Sequence, residues 1–141
     1  MRGFTLIEIL LALALISFIA GLAVPTYQAF QERNSLDVAI NAITQMSRRG
    51  QLLAQGISGN SRWGIFAQIE SITLFKGKNF DQRDPAFDEV FSLPINITPT
   101  GNTLIVFSEF TGYPQTTGTL TLNSLTETRS LIINDYGIIT Y

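Results

Sequence analysis

One carboxylate stands in wholly apolar surroundings near the start of this chain. Glu8 is the single charge in residues 4–24, FTLIEILLALALISFIAGLAV. A charge at membrane depth costs at least a few kcal/mol, and ionisable groups placed there are functional by default. Such a group needs a cationic partner, because an uncompensated charge away from water is unfavourable. The other carboxylate cluster is Asp81, Asp84, Asp88 and Glu89. An oxygen-rich loop suits calcium, but the spacing lacks the EF-hand order and its central glycine, so a solvated loop is expected instead. Paired carboxylates also serve glycoside hydrolysis, yet no pair is singled out here. With no histidine and no cysteine in 141 residues, catalytic triads, histidine acid–base chemistry, thiolate nucleophiles, disulfides and most zinc sites are excluded. No phosphate loop, nucleophile elbow or glycine-rich nucleotide motif occurs. Asn96-Ile97-Thr98 fits a glycosylation sequon, a pattern of low specificity. No enzyme activity, cofactor or metal is expected.

The element that positions Glu8 is a helix. Residues 4–24 would extend about 31 Å at 1.5 Å per residue, matching a hydrocarbon core of about 30 Å. Their Leu and Ala content favours helix. Arg2 is the flanking cation on the amino-terminal side, which by the positive-inside tendency places Met1 in the cytoplasm and the rest outside. Two plainer readings compete. Gly21-Leu22-Ala23 offers small residues for signal-peptide cleavage after Ala23, but the n-region is one arginine and the apolar run is long. A simple anchor for a soluble domain is the other, and neither reading explains Glu8.

The stretch Gly3-Phe4-Thr5-Leu6-Ile7-Glu8 resembles the cleavage and methylation motif of type IV pilins and type II secretion pseudopilins. The resemblance implies a leader of residues 1–3, cutting by a prepilin peptidase between Gly3 and Phe4, and N-methylation of Phe4. Cutting there frees an α-amine on Phe4 that is largely protonated near neutral pH, and methylation keeps its positive charge. Glu8 lies just over one turn away and is expected to pair with this amine. The partner is its own subunit's amine or a staggered neighbour's, and the family favours the neighbour. Glu8 and Pro25 are the expected assembly residues. Proline inside a helix removes a hydrogen bond and bends the axis; the helix is expected to curve through Pro25 because the helical pattern resumes at once.

Past Pro25, Tyr27, Phe30, Leu36, Ala39, Ile40, Ile43, Met46 and Leu53 supply apolar positions, and from Leu36 onward they fall on one helical face. Glu32, Arg33, Asp37, Asn41, Gln45, Arg48 and Arg49 lie opposite. The helix is therefore expected over about 4–54, its membrane part at 4–24 and its upper half at 25–55. An Arg33–Asp37 pair four residues apart would add a few tenths of a kcal/mol. Arg48-Arg49 would suit the dipole at the helix end. Residues 56–61 read as a loop and helix stop.

From residue 62 the pattern changes to short β runs at 63–69, 71–75, 87–93, 103–108, 119–123, 129–134 and 138–141. The run 103–108 is apolar on both faces and is expected to be central. Asp135-Tyr136-Gly137 reads as a hairpin turn. The fold class is α+β: a long amino-terminal helix, transmembrane below and amphipathic above, followed by a β-sandwich-like head over 62–141. Leu93-Pro94, Ile105-Val106-Phe107 with Gly112, Gly118 to Leu122, Arg129 and Gly137-Ile138-Ile139 resemble the heads of H-type minor pseudopilins and FimT-type minor pilins. Asn96 stands where a glycine is expected after Leu93-Pro94.

These resemblances imply the pilin fold, a single-pass protein of the bacterial inner membrane with an extracytoplasmic head, and later a place in a filament. The implied partners are other pseudopilins or pilins, the prepilin peptidase, the inner-membrane assembly platform and membrane lipid. The implied role is a minor structural subunit in protein export. The alternatives are a FimT-like pilin for DNA uptake and a membrane-tethered binding module or enzyme. Nucleic acid is not expected as a partner. Beyond residue 33 there are seven basic and nine acidic residues, a net charge of −2, whereas phosphate binding needs clustered cations.

Overall fold

The computed structural model describes residues 3–56 and 61–141, with the backbone alone at 23 and 24. Met1 and Arg2 of the expected leader, residues 57–60 of the expected loop and the Ala23 side chain lie outside the described residues.

One helix, α1, runs over Leu6–Gln55. Thr5 is its N-cap in extended conformation, and the Gly56 N–H closes its end on the Leu52 carbonyl at 2.8 Å. The helix continues through Pro25 without a break. Its buried face is Leu36, Ala39, Ile40, Ala42, Ile43, Ser47, Gly50 and Ala54, a 3–4 spacing that lays one side on the head. Burial against the head begins at Leu36. Tyr27 and Phe30 remain 67% and 71% exposed, so they continue the bare apolar surface of residues 4–22.

Among the described residues eight strands follow: β1 Trp63–Gln68, β2 Ser71–Lys76, β3 Asp84–Ser92, β4 Thr98–Gly101, β5 Leu104–Phe107, β6 Gly118–Asn123, β7 Thr128–Ile133 and β8 Ile139–Thr140. They form two four-stranded antiparallel sheets, ordered β3-β2-β1-β5 and β4-β6-β7-β8. The expected α+β architecture of a long apolar helix and an antiparallel β head is present. Leu36, Ala39, Ile40 and Ile43 of the helix share one core with Ile65, Ile72, Leu74 and Phe107 of the first sheet and Leu120, Leu122, Leu131 and Ile133 of the second. Gly50 permits the close approach. A Cβ there would meet Leu74 Cδ1 at 3.1 Å and the Phe107 ring at 3.3 Å.

Several expectations are corrected. β5 is an end strand, not a central one. Its apolar faces are still accounted for, because the segment after it folds back over the open edge: Gln115 N–H donates to the Val106 carbonyl at 2.8 Å, and Phe107 bridges Pro114. β4 was not foreseen. Pro99 within it is tolerated because β4 is an edge. The acidic stretch is not a loop beyond residue 84, where β3 begins. Arg33 pairs with Glu127 of the head at 3.4 Å rather than with Asp37. The last helical turn holds no basic residue; Arg48 and Arg49 lie further back, and Arg49 reaches Glu89 on β3 at 2.6 Å. Pro94 to Ile97 turns without glycine, the Ile97 N–H donating to the Pro94 carbonyl at 3.0 Å, and Asn96 does not adopt positive φ. The 135–137 turn forms as expected, with Gly137 at φ +78° and its N–H on the Asn134 carbonyl.

Candidate assembly site

Four residues were singled out by sequence: Gly3, Phe4, Glu8 and Pro25. The first three come together within one turn of the helix start. Gly3, Phe4 and Thr5 precede the helix, and Thr5 has φ −81° and ψ 153°. The Gly3–Phe4 peptide bond therefore lies in non-helical chain. Nothing stands within 4 Å of a side chain built at Gly3, and Phe4 is 81% exposed. A bond in this setting can enter a protease cleft without unwinding a helix.

Glu8 is the third helical residue and reaches back over the N-cap. The Thr5 N–H donates to Glu8 Oε2 at 3.5 Å, a long bond. In the reciprocal direction the Thr5 side chain faces the Glu8 amide, completing a capping box. The carboxylate thus sits at the positive end of the helix dipole, next to the place where cutting after Gly3 would leave an amine on Phe4.

Two hydroxyls in and just past the apolar run bond back along the helix. Ser17 Oγ donates to the Leu13 carbonyl at 2.8 Å and Thr26 Oγ1 to the Leu22 carbonyl at 2.9 Å, the local back-bonding open to hydroxyls. That leaves Glu8 as the run's one charge. The most apolar 18-residue window of α1 has mean hydropathy 2.6, and none of it is buried. By length and composition α1 can cross a membrane. Pro25 lies 17 residues beyond Glu8, toward the head and away from this cluster. It lacks an N–H, so the Gly21 carbonyl loses its usual helical donor. Nothing lies within 4 Å of a side chain built at Gly21.

Sequence reasoning missed the polar contacts that hold helix and head together. Glu32 accepts hydrogen bonds from Ser124 Oγ at 3.1 Å and from Thr126 Oγ1. Glu127 in the same loop takes Arg33 at 3.4 Å and Arg129 at 2.8 Å. At the far end Gln51 Nε2 donates to the Tyr136 carbonyl at 2.7 Å and Gln55 Nε2 to the Thr111 carbonyl at 3.0 Å. Their partners lie 56 to 94 residues away along the chain, so no local spacing reveals them. In the acidic stretch Asp88 pairs with Arg83 at 2.8 Å and Glu89 with Arg49. Among the described residues no group of three or more carboxylates is placed to hold a metal ion.

The family model for the prokaryotic N-terminal methylation motif matches residues 1–24. No solved structure matches the chain. Together with the bare apolar helix, the motif supports a type IV pilin-like protein, anchored in a membrane and processed by prepilin peptidase.

Proposed function

We propose that this chain is a minor pseudopilin or pilin-like structural subunit. It is cut between Gly3 and Phe4, N-methylated on Phe4, and held in the bacterial inner membrane with its head outside the cytoplasm. The assembly platform then adds it to a short type II secretion pseudopilus or pilus-like filament serving protein export. Its work is non-enzymatic: helix packing, the Glu8–Phe4 charge pair and head contacts. The observation that carries this reading is the carboxylate at the third position of a bare apolar helix, with an accessible glycine–phenylalanine bond just ahead of it.

Intact-mass measurement on protein purified from membranes tests the processing. The expected species starts at Phe4 and carries one methyl group. A chain that keeps residues 1–3, or one that starts after Ala23, would overturn it. The head gives little support to the DNA-uptake alternative. Arg33, Arg49, Arg83 and Arg129 are paired with carboxylates, and beyond residue 33 nine acidic residues outnumber seven basic ones. Tight, salt-sensitive DNA binding by the purified full chain would reverse that order.

A further inference from the structure

The foot of the head carries two large apolar side chains at loop tips. Leu125, between β6 and β7, is 85% exposed, and Ile95, between β3 and β4, is 80% exposed. Both loops face the helix at one level. Pro94, Asn96 and Leu125 line a groove against Gln28, Gln31, Glu32 and Ser35, and Glu32 fastens the 124–127 loop there.

That level can be placed against a bilayer. The helix side of the groove runs from Gln28 to Ser35, beginning four residues, about 6 Å, above the end of the apolar run at Val24. The polar interface outside the hydrocarbon is about 5–7 Å thick on each side. Exposed Tyr27 and Phe30 occupy the same stretch of helix, and aromatic side chains favour that interface. The helix that anchors the chain thus carries the groove, with the exposed tips Leu125 and Ile95 beside it, directly above the headgroup layer, its lower edge at that level.

We propose that the loop tips at Leu125 and Ile95 insert into the headgroup region of the membrane and seat the head on the lipid surface before filament entry. This rests on the reading of α1 as a membrane anchor. The contact is apolar in character. Beside the groove Glu32 and Glu127 balance Arg33 and Arg129, and each carboxylate already has partners. Anionic lipid is therefore not required, in contrast to surfaces that bind through lysine and arginine.

The chain has no cysteine, so single cysteines can be introduced cleanly. Leu125→Cys, Ile95→Cys, Leu13→Cys and Phe110→Cys, all at exposed positions, would each be labelled with an environment-sensitive dye. The full chain is reconstituted alone in phosphatidylethanolamine–phosphatidylglycerol vesicles with headgroup-level quencher lipid. The expected result is blue-shifted emission at Leu13, Leu125 and Ile95, quenching by the headgroup-level lipid at Leu125 and Ile95, and a water-like, unquenched label at Phe110. The pattern should persist at about 1 M salt, where the screening length is about 3 Å. A protected Leu13 with a water-like Leu125 would overturn the seating alone. A water-like Leu13 would overturn the anchor and the seating with it. Quenching at Leu125 that vanished in high salt would overturn the apolar basis.

Discussion

The Glu8 carboxylate faces the Thr5 amide at 3.5 Å, two residues after the Gly3–Phe4 bond. The contact gives Glu8 a local role as half of a capping box, beside its role as a charge partner. The two can be separated. Glu8→Gln keeps an acceptor for the Thr5 N–H but loses the charge, and Glu8→Ala loses both. A helix cap contributes about 0.5–2 kcal/mol, whereas a charge at membrane depth costs at least about 2.5–3.5 kcal/mol. If charge pairing governs filament entry, both variants are cut normally and both fail to co-purify with the filament. A Glu8→Gln chain that assembled like wild type would assign Glu8 to capping alone.

Ser47 is 1% exposed where the helix meets the head, and its Oγ has no hydrogen-bond partner. Leaving a buried hydroxyl unpaired costs about 1–3 kcal/mol, and alanine is the better helix former. Ser47→Ala should stabilise the head by about 1 kcal/mol. For a domain of this size that raises the melting temperature by about 4–8 °C. Thermal melts of the two full-length proteins in one detergent check it, and an unchanged or lower midpoint would contradict it.

Glu32 and Glu89 both tie the helix to the head, but in unequal settings. The Arg49–Glu89 pair leaves its side chains 61% and 44% exposed, and such pairs contribute about 0–1 kcal/mol. Glu32 instead takes two hydroxyls from one loop and is half-buried. Hydrogen bonds to charged groups are worth about 1.5–3 kcal/mol each when shielded, so about 1 kcal/mol in total is a fair expectation at this depth. Glu32→Ala should speed amide exchange locally at 124–127, and Arg49→Ala should leave exchange in β3 near wild type. Equal effects from the two variants would contradict the ranking.

Local pattern carried the helix almost to the residue, from an expected 4–54 to Leu6–Gln55, because an apolar run and an apolar stripe share one period. It carried the hairpin at 135–137 because Gly137 takes a positive φ that its residue type allows cheaply. Strand order was not legible. The apolar density of Leu104–Phe107 reads as a central strand, but the edge is closed by Pro114 and Gln115 rather than by another strand. Charge pairing was illegible for a similar reason. Arg33 has Asp37 one turn away, yet it pairs with Glu127, which the fold brings to it from the far end of the chain. Gly3, Phe4 and Glu8 were readable because their spacing is local, whereas the grip of Glu32 on Ser124 and Thr126 exists only after folding.

Pro25 lies within the bare part of α1, seven residues below Glu32, where contact with the head begins. Its missing N–H leaves the Gly21 carbonyl without a donor, and proline is the usual source of a bend in a continuous helix. Pro25→Ala restores that bond and removes the clash of the ring with the preceding turn, so the variant should fold, anchor and be processed. It should also straighten the helix. Spin labels on cysteines placed at Leu13 and Asn34, on either side of Pro25, should report a longer and narrower distance distribution in Pro25→Ala than with proline present. If the curve fits the subunit to its neighbours, co-purification with the filament falls while processing at Gly3–Phe4 stays complete. An unchanged distance with lost assembly would mean that Pro25 acts through its surface and not through the axis.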